Sequence, residues 1–418
     1  MIIKKNFFFY NLPSFCFCLL PLFLITGPFL SDLSISLISL LFIIKCIQEK
    51  NFSYFKNKYF YFFILFYFYL VLNIIFNNFN TRSFINALFY FRFGIFVIAL
   101  VYLLNLNKKL LEYFFIVSVI CFSMLIFDGF IQYFFKANIF GAALSAQNRV
   151  SSFFGDELIL GSYISRLLPI IFGISLIIPY KNKYLYLIPI FIFCETLVFL
   201  SGERAAFFFI NLSSLFILLM IKDYKKLRFF IMIITGFFII GITALDHKAK
   251  ERIFDRTLEQ INVTDSSKKI YIFSKQHHEH YLSAFRMFNE NKIFGVGVNN
   301  FRELCQKEKF KVSEYSCVRH PHNNYIQVVA ELGIIGVSFL IFLLIIFIIY
   351  SIKHIKYLIK GGRFFSDFEI CLLGSILIFL WPIAPTGNFF NNWLNITYYL
   401  PLALFIFSRN KNNNWLRG

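Results

Sequence analysis

His320-Pro321-His322-Asn323-Asn324-Tyr325 runs into Ile326-Gln327-Val328-Val329-Ala330-Glu331-Leu332-Gly333-Ile334-Ile335-Gly336, and from there an apolar run continues to Ile349. An apolar segment of that length crosses a hydrocarbon core of about 30 Å as a helix, because a helix satisfies its own backbone amides in lipid. The stretch therefore decides the fold class: an all-α polytopic membrane protein. It also sets histidine, asparagine and Arg319 at the mouth of a span, beside the helix rather than inside it. A segment needed only to cross lipid has no use for such a cluster. The position points to chemistry on a substrate that is itself anchored in the membrane.

The rest of the 418-residue chain has the same character, with 58% hydrophobic and 15% charged residues. Hydropathy predicts about twelve transmembrane helices. They are Leu12–Phe29, Leu33–Ile47, Tyr59–Phe76, Phe84–Leu104, Leu110–Phe134, Leu158–Ile178, Tyr184–Leu200, Ala205–Ile221, Phe229–Leu245, Tyr325–Ile349, Phe368–Ile383 and Trp393–Phe407. Lys4 and Lys5 precede the first span and no small-residue cleavage site follows it, so it reads as a retained anchor. This gives nine spans over residues 1–245, a long polar loop over 246–324, and three spans with a tail over 325–418.

Short-loop cations set the orientation. Lys45, Lys50, Lys56, Lys58, Lys108, Lys109, Lys181, Lys183, Lys222, Lys225, Lys226, Arg228, Lys353, Lys356, Lys360 and Arg363 fall on one side with both termini, which is then cytoplasmic. The opposite short loops hold only Arg82, Lys136, Arg149 and Arg204, and the long loop faces outward with them. The net charge of +19 is mostly this topology signal and calls for no nucleic-acid partner.

Within the loop, 275–289 reads as an amphipathic helix whose apolar stripe carries Tyr281, Ala284, Phe285 and Phe288, with His277 on it and His280 and His278 at its border. Arg286 falls on the opposite face with Glu279 and Ser283. Gly295-Val296-Gly297 makes a tight turn, and Arg302 follows. Six of the eight cysteines lie in or beside spans. Cys305 and Cys317 share the outward loop, where an oxidising compartment favours a disulfide between them.

Polar groups at membrane depth ask for a partner or a function. Arg92 either binds a lipid phosphate or pairs with a carboxylate such as Glu195 or Asp128. Ser201-Gly202-Glu203-Arg204 lies at the outward junction of spans seven and eight, where a guanidinium suits bidentate phosphate binding. Its structural alternative is an ion pair with Glu203. A neutral imidazole at His320 or His322 accepts a proton near pH 7 and fits a base acting on a hydroxyl. No carboxylate stands at ligand spacing to complete a metal site there.

In these motifs the chain resembles the O-antigen ligase and polymerase family of bacterial surface-polysaccharide assembly. His322-Asn323, Gly333 and Gly336 match its signature of His, Asn/Ser/Gln, nine residues, Gly, two residues, Gly/Thr. Ser201 to Ala205 is similar to its arginine motif between spans seven and eight, and Phe294 to Gly297 with Phe301 to its Gly-x-Gly turn. The resemblance implies transfer of a glycan from undecaprenyl pyrophosphate, at the periplasmic face of the inner membrane, without cofactor or metal. The acceptor would be lipid A–core for a ligase, or another lipid-linked glycan for a polymerase. His322 would activate the acceptor hydroxyl and Arg204 would hold the pyrophosphate, with inversion at the anomeric carbon. The family's second loop arginine has no clear counterpart, since that region reads Gln276-His277-His278-Glu279-His280. A protonated His280 or His277 fills the role, or else Arg286, Arg302 or Arg319 does; Asn323 joins the substrate-binding set.

Overall fold

The computed structural model describes residues 7–77, 80–145, 148–261, 271 and 273–410. Lys4, Lys5 and the end of the tail lie outside them. Among the described residues the chain is all-helical, with two isolated bridges in place of strands. In chain order the helices are α1 (Leu12–Cys18), α2 (Leu20–Ile25), α3 (Pro28–Gln48), α4 (Lys58–Phe76), α5 (Thr81–Leu88), α6 (Phe91–Leu106), α7 (Lys109–Phe135), α8 (Leu160–Ile177) and α9 (Tyr184–Leu200). Then follow α10 (Arg204–Met220), α11 (Lys225–Leu245), α12 (His247–Lys250), α13 (Arg256–Ile261), α14 (Lys275–Glu290), α15 (Phe301–Leu304), α16 (Asn324–Ile359), α17 (Asp367–Leu380) and α18 (Asn392–Arg409).

Seven helices among the described residues are long and apolar enough to cross a membrane: α3, α4, the α5–α6 pair, α7, α8, α11 and α16. Helices α9 and α10 are apolar but shorter, at 17 residues each. The first predicted span is interrupted, with Pro13 and Pro21 each starting a short helix and Gly27 breaking the chain before α3. Proline is tolerated in a helix's first turn but breaks a helix interior, which is why one apolar run yields two pieces. Helix α8 is enclosed almost completely at the centre, whereas α11 shows most of its surface outward. Its Tyr163 and Phe172 are fully buried, as are Phe17 of α1 and Phe114 and Phe122 of α7.

The bundle has two polar ends. At one, Lys222 and Asp223 donate backbone N–H groups to Asp367 (2.9 Å each), Arg363 pairs with Asp223 at 2.7 Å, and His354 bonds the Met220 carbonyl at 2.9 Å. Arg228, which the sequence groups with the exposed cations of this end, instead turns inward to Glu195 and Ser214 and is 3% exposed. Arg92 pairs with Asp32 at 2.7 Å, not with Glu195 or Asp128. Asp128 instead accepts from the Ser152 hydroxyl (2.5 Å) and the Ile139 amide (2.9 Å).

At the other end the insertion is bound to α16 by its backbone. Helix α16 departs from helical geometry at Gly333 (φ 63°, ψ −163°). Across the break, the Ile334 amide donates to the Lys292 carbonyl (2.9 Å), Val296 to Ala330 (3.0 Å) and Gly297 to Glu331 (2.9 Å). A side chain on Gly333 would enter the Ile293 carbonyl, and one on Gly295 would enter the Glu331–Leu332 peptide. Both glycines are therefore required by close approach as well as by positive φ. The Glu331 carboxylate then takes the amides of Phe301 (2.8 Å) and Asn299 (3.2 Å). Tyr69 of α4 bonds the Leu332 carbonyl, and Asn73 bonds that of Phe294 at 2.6 Å.

Helix α14 forms over Lys275–Glu290, as its periodicity predicts, with Ser274 capping it. The packed face differs from the one read off the helical wheel. His280, Ser283, Ala284 and Met287 are buried, while Leu282 and Phe285 are exposed. Small residues let α14 lie close to α16, where Met287 packs in a cluster with Phe301, Cys305, Phe310 and Ala330. Cys305 and Cys317 are disulfide-bonded.

Candidate active site

Ser201, Gly202 and Glu203 turn the chain from α9 into α10, and Gly202 adopts φ 64°. The carbonyls of this turn point at arginines from elsewhere. Ser201 O accepts Arg149 Nε at 2.9 Å, and Gly202 O accepts Arg252 Nε at 2.9 Å. A Cβ on Gly202 would lie 2.5 Å from Arg252 Nε and 3.2 Å from Arg149 Cγ, so the glycine provides room for both. Arg204 opens α10 and reaches Thr257 Oγ1 at 3.4 Å. Arg256 stands at the rim, paired with Glu251 at 3.0 Å.

Glu203 is not the counter-ion for Arg204. Its carboxylate accepts from the amides of Gly161 (2.6 Å) and Ser162 (3.1 Å) and from the Ser162 hydroxyl (2.7 Å). It thus caps the N-terminus of α8, where a negative charge is favoured. Burial pushes its carboxyl above the usual range. Burial, followed by repulsion from Arg149, Arg204 and Arg256, pushes Arg252 down to about 10.

Four imidazoles gather beside this turn. The His322 ring centroid lies 4.2 Å from that of His320, 5.4 Å from His277 and 5.6 Å from His280. His277 Nδ1 is 2.7 Å from Ser274 Oγ, and His280 Nε2 is 3.0 Å from the Tyr315 carbonyl. His322 is in the left-handed region at φ 57°, uncommon for a residue with a side chain, although histidine adopts it more readily than most. Its carbonyl is held by the Thr386 amide at 2.9 Å. Asn323 then caps α16 by accepting from Tyr325 (2.9 Å) and Ile326 (3.0 Å). A strained conformation fixed on both sides is the pattern of a positioned functional residue.

Burial lowers all four rings. His322 falls from 6.5 to about 4, helped by His280. His277 also falls to about 4, through burial and then His322, His280 and Arg204. His320 falls to about 3 and His280 is lowered as well. Burial thus favours the neutral form of each ring in the ligand-free chain. Among the described residues no three His, Cys, Asp or Glu side chains are arranged to hold a metal ion.

Residues 189–341 match the family model described as O-antigen ligase. That segment is similar to the O-antigen ligase family. The family consists of membrane enzymes that ligate or polymerise glycans. Comparison with curated proteins gives no match. The matched segment covers Arg204, Arg252, the four clustered histidines and the Gly295–Gly333 junction, whereas Arg149 and Thr386 lie outside it.

Of the other residues singled out in the sequence, Asn323 follows His322 and Arg319 acts electrostatically on His320. Asn323 is 3% exposed and also donates to the carbonyls of Pro382 (2.8 Å) and Ala384 (3.3 Å), so its bonding capacity is used by the scaffold. Arg286 is exposed and bonds the Lys311 carbonyl; Arg302 and Arg319 are exposed. Arg92 is held by Asp32. Sequence reasoning missed Arg252 and Arg256 and did not give Arg149 a role. Arg149 had a signal, as one of the few cations outside the lysine-rich loops. It also missed Thr386 and Asn388, which tie the loop before α18 to His322, Gln327 and Asn299.

Proposed function

We propose that the protein is a glycosyltransferase that moves a glycan from an undecaprenyl pyrophosphate donor to a sugar hydroxyl of lipid A–core, on the outward face of the bacterial inner membrane. The reading rests on one observation: motifs more than a hundred residues apart converge, since Arg204 acts on His277 and the His277 ring lies 5.4 Å from that of His322. A proton acceptor and a cation thus fall in one neighbourhood, which is consistent with displacement at an anomeric carbon. The acceptor oxygen attacks C1 while its proton passes to the neutral His322 ring. The C1–O bond to pyrophosphate breaks, and its electron pair leaves on the phosphate oxygen beside Arg204. Fixed charges aimed at developing negative charge lower the barrier without reorganisation. A single displacement of this kind inverts the anomeric centre, and no resident metal or cofactor takes part in it.

The short loops at the site's end hold few cations while lysines collect in those of the opposite end, which supports the outward placement. Removing a general base costs about a hundredfold or more in rate. His322→Ala should therefore abolish glycan transfer while the protein still inserts and accumulates. Normal glycan attachment by that variant would defeat the proposal. Arg204→Lys should also be impaired, because lysine keeps the charge but loses the two-pronged donor. In a deletion strain, lipid-linked polymer accumulating beside bare lipid A–core marks a ligase, and single repeat units on lipid A–core mark a polymerase.

A further inference from the structure

His280 carries a buried ring nitrogen that the glycan-transfer chemistry does not use. It lies on the packed face of α14, 5% exposed, one turn beyond His277. Its Nε2 stands 3.0 Å from the Tyr315 carbonyl, and a carbonyl only accepts, so Nε2 carries the proton. That bond fixes the tautomer and leaves Nδ1 as a bare acceptor. Nδ1 is buried and has no hydrogen-bond partner among the described residues. The carbonyl is itself held firmly. Tyr315 lies in a short turn (Glu314–Ser316) capped by Ser313, two residues before the disulfide at Cys317. The Ser313 hydroxyl also donates to Glu279 of α14 at 2.6 Å. A ring fixed by its helix and by a locked turn has its free nitrogen set in one direction.

We propose that His280 is a positioning residue for His322, accepting at Nδ1 a hydrogen bond from the His322 ring. This rests on the reading of His322 as the base of glycan transfer. The two ring centroids lie 5.6 Å apart with their planes inclined by 35°. At that separation facing nitrogens stand near hydrogen-bond reach, and catalytic hydrogen bonds are often long until substrate binds. His277, the other ring beside His280 at 6.0 Å, already uses its Nδ1 on the Ser274 hydroxyl. An N–H of His322 given to His280 leaves the second His322 nitrogen unprotonated, ready for the acceptor hydroxyl. When that hydroxyl attacks, its proton moves to the second nitrogen, and the N–H held by His280 becomes part of an imidazolium. Hydrogen bonds from charged donors are the stronger kind, so this one tightens as the barrier is crossed. A buried carboxylate does the same for the histidine of a hydrolase triad. Thr386 fixes the His322 backbone; His280 fixes its ring.

The test uses the full chain in lipid nanodiscs, with lipid-linked glycan and lipid A–core extracted from the bacterium's own membranes. Three variants separate the two nitrogens of His280. Asparagine places its carbonyl oxygen near the position of Nδ1, glutamine places its amide nitrogen near that of Nε2, and leucine offers neither. His280→Leu should lower kcat about ten- to hundredfold, the worth of a hydrogen bond to a charged group, with KM unchanged. His280→Gln should fall as far, whereas His280→Asn should keep most of the parent rate. Nitrogen NMR of the histidine-labelled, ligand-free chain should show His280 Nδ1 unprotonated. A parent-like kcat in His280→Leu, recovery by glutamine instead of asparagine, or a proton on Nδ1 would each overturn the proposal. The glycan-transfer reading fails by a different result, namely His322→Ala transferring glycan at the parent rate. With His322→Ala inactive, a normal His280→Leu counts against His280 alone.

Discussion

Arg228 and Arg252 are both arginines taken out of bulk water, yet the protein treats them in opposite ways. Arg228 sits near the lysine-rich end with Glu195, Ser214 and the face of Phe172 around it, its charge answered by a carboxylate. Arg252 sits at the other end with Arg149 and Arg204 for neighbours, and Glu203, which also caps α8, attracts it without forming an ion pair. A buried ion pair is tolerated because each charge solvates the other. A group of like charges is tolerated only where something else is meant to arrive. The difference separates a cation paired within the bundle from cations that crowd one another at the turn.

The largest effect should come from breaking the satisfied pair. Glu195→Ala strands Arg228 and should cost about 3–5 kcal/mol, read as a lower thermal unfolding midpoint in detergent. The double variant Glu195→Ala/Arg228→Met should recover most of that loss. A stable Glu195→Ala would erase the distinction. Next, replacing Cys305 and Cys317 by serine should cost about 3 kcal/mol, confined to the insertion. Protease cleavage of that region should rise while the bundle's unfolding is unchanged.

Arg252→Gln is the mirror test. Transfer should fall about tenfold, worth about 1.4 kcal/mol, with the unfolding midpoint close to that of the parent. A large stability loss would make Arg252 another structural cation.

Acidity separates the arginines from the imidazoles. His322, His277 and His320 are held at about 4, 4 and 3 in the folded chain, against 6.5 ordinarily. Between those values the unfolded chain binds more protons, so their contribution to stability is complete above pH 6.5 and is lost as pH falls toward 4. The acid limb of kcat/KM, which reports the free enzyme, should lie near pH 4. A limb at 6.5 would mean that the rings are solvated. The smallest effect belongs to the rim: Arg256→Gln breaks an exposed pair with Glu251 and should change stability by no more than about 1 kcal/mol.

Helical membrane architecture was legible because apolar runs of span length have few other solutions. What hydropathy could not show was where backbone geometry interrupts a run, as between α1 and α2 or at Gly333. His322 and Arg204 stood out by motif and position, and the cysteine pair, which is bonded, was legible from its shared loop. The packed face of α14 was misread because a wheel ranks residues by polarity. Contact with α16 instead selected the small Ser283 and Ala284 and left Phe285 outside. The second source of positive charge was sought in the helix next to the Gly-x-Gly turn. Arg252 and Arg149 lie far from that helix in sequence, and only the carbonyls of Ser201 and Gly202 bring them together. Nothing in a linear pattern announces a carbonyl's direction.

The break at Gly333 also bears on biosynthesis. The turn around Gly295 leaves the ribosome before the segment that receives its amides, so it stays unpaired until α16 has been made. The junction between insertion and bundle can therefore close only after the chain has been made through the first turns of α16.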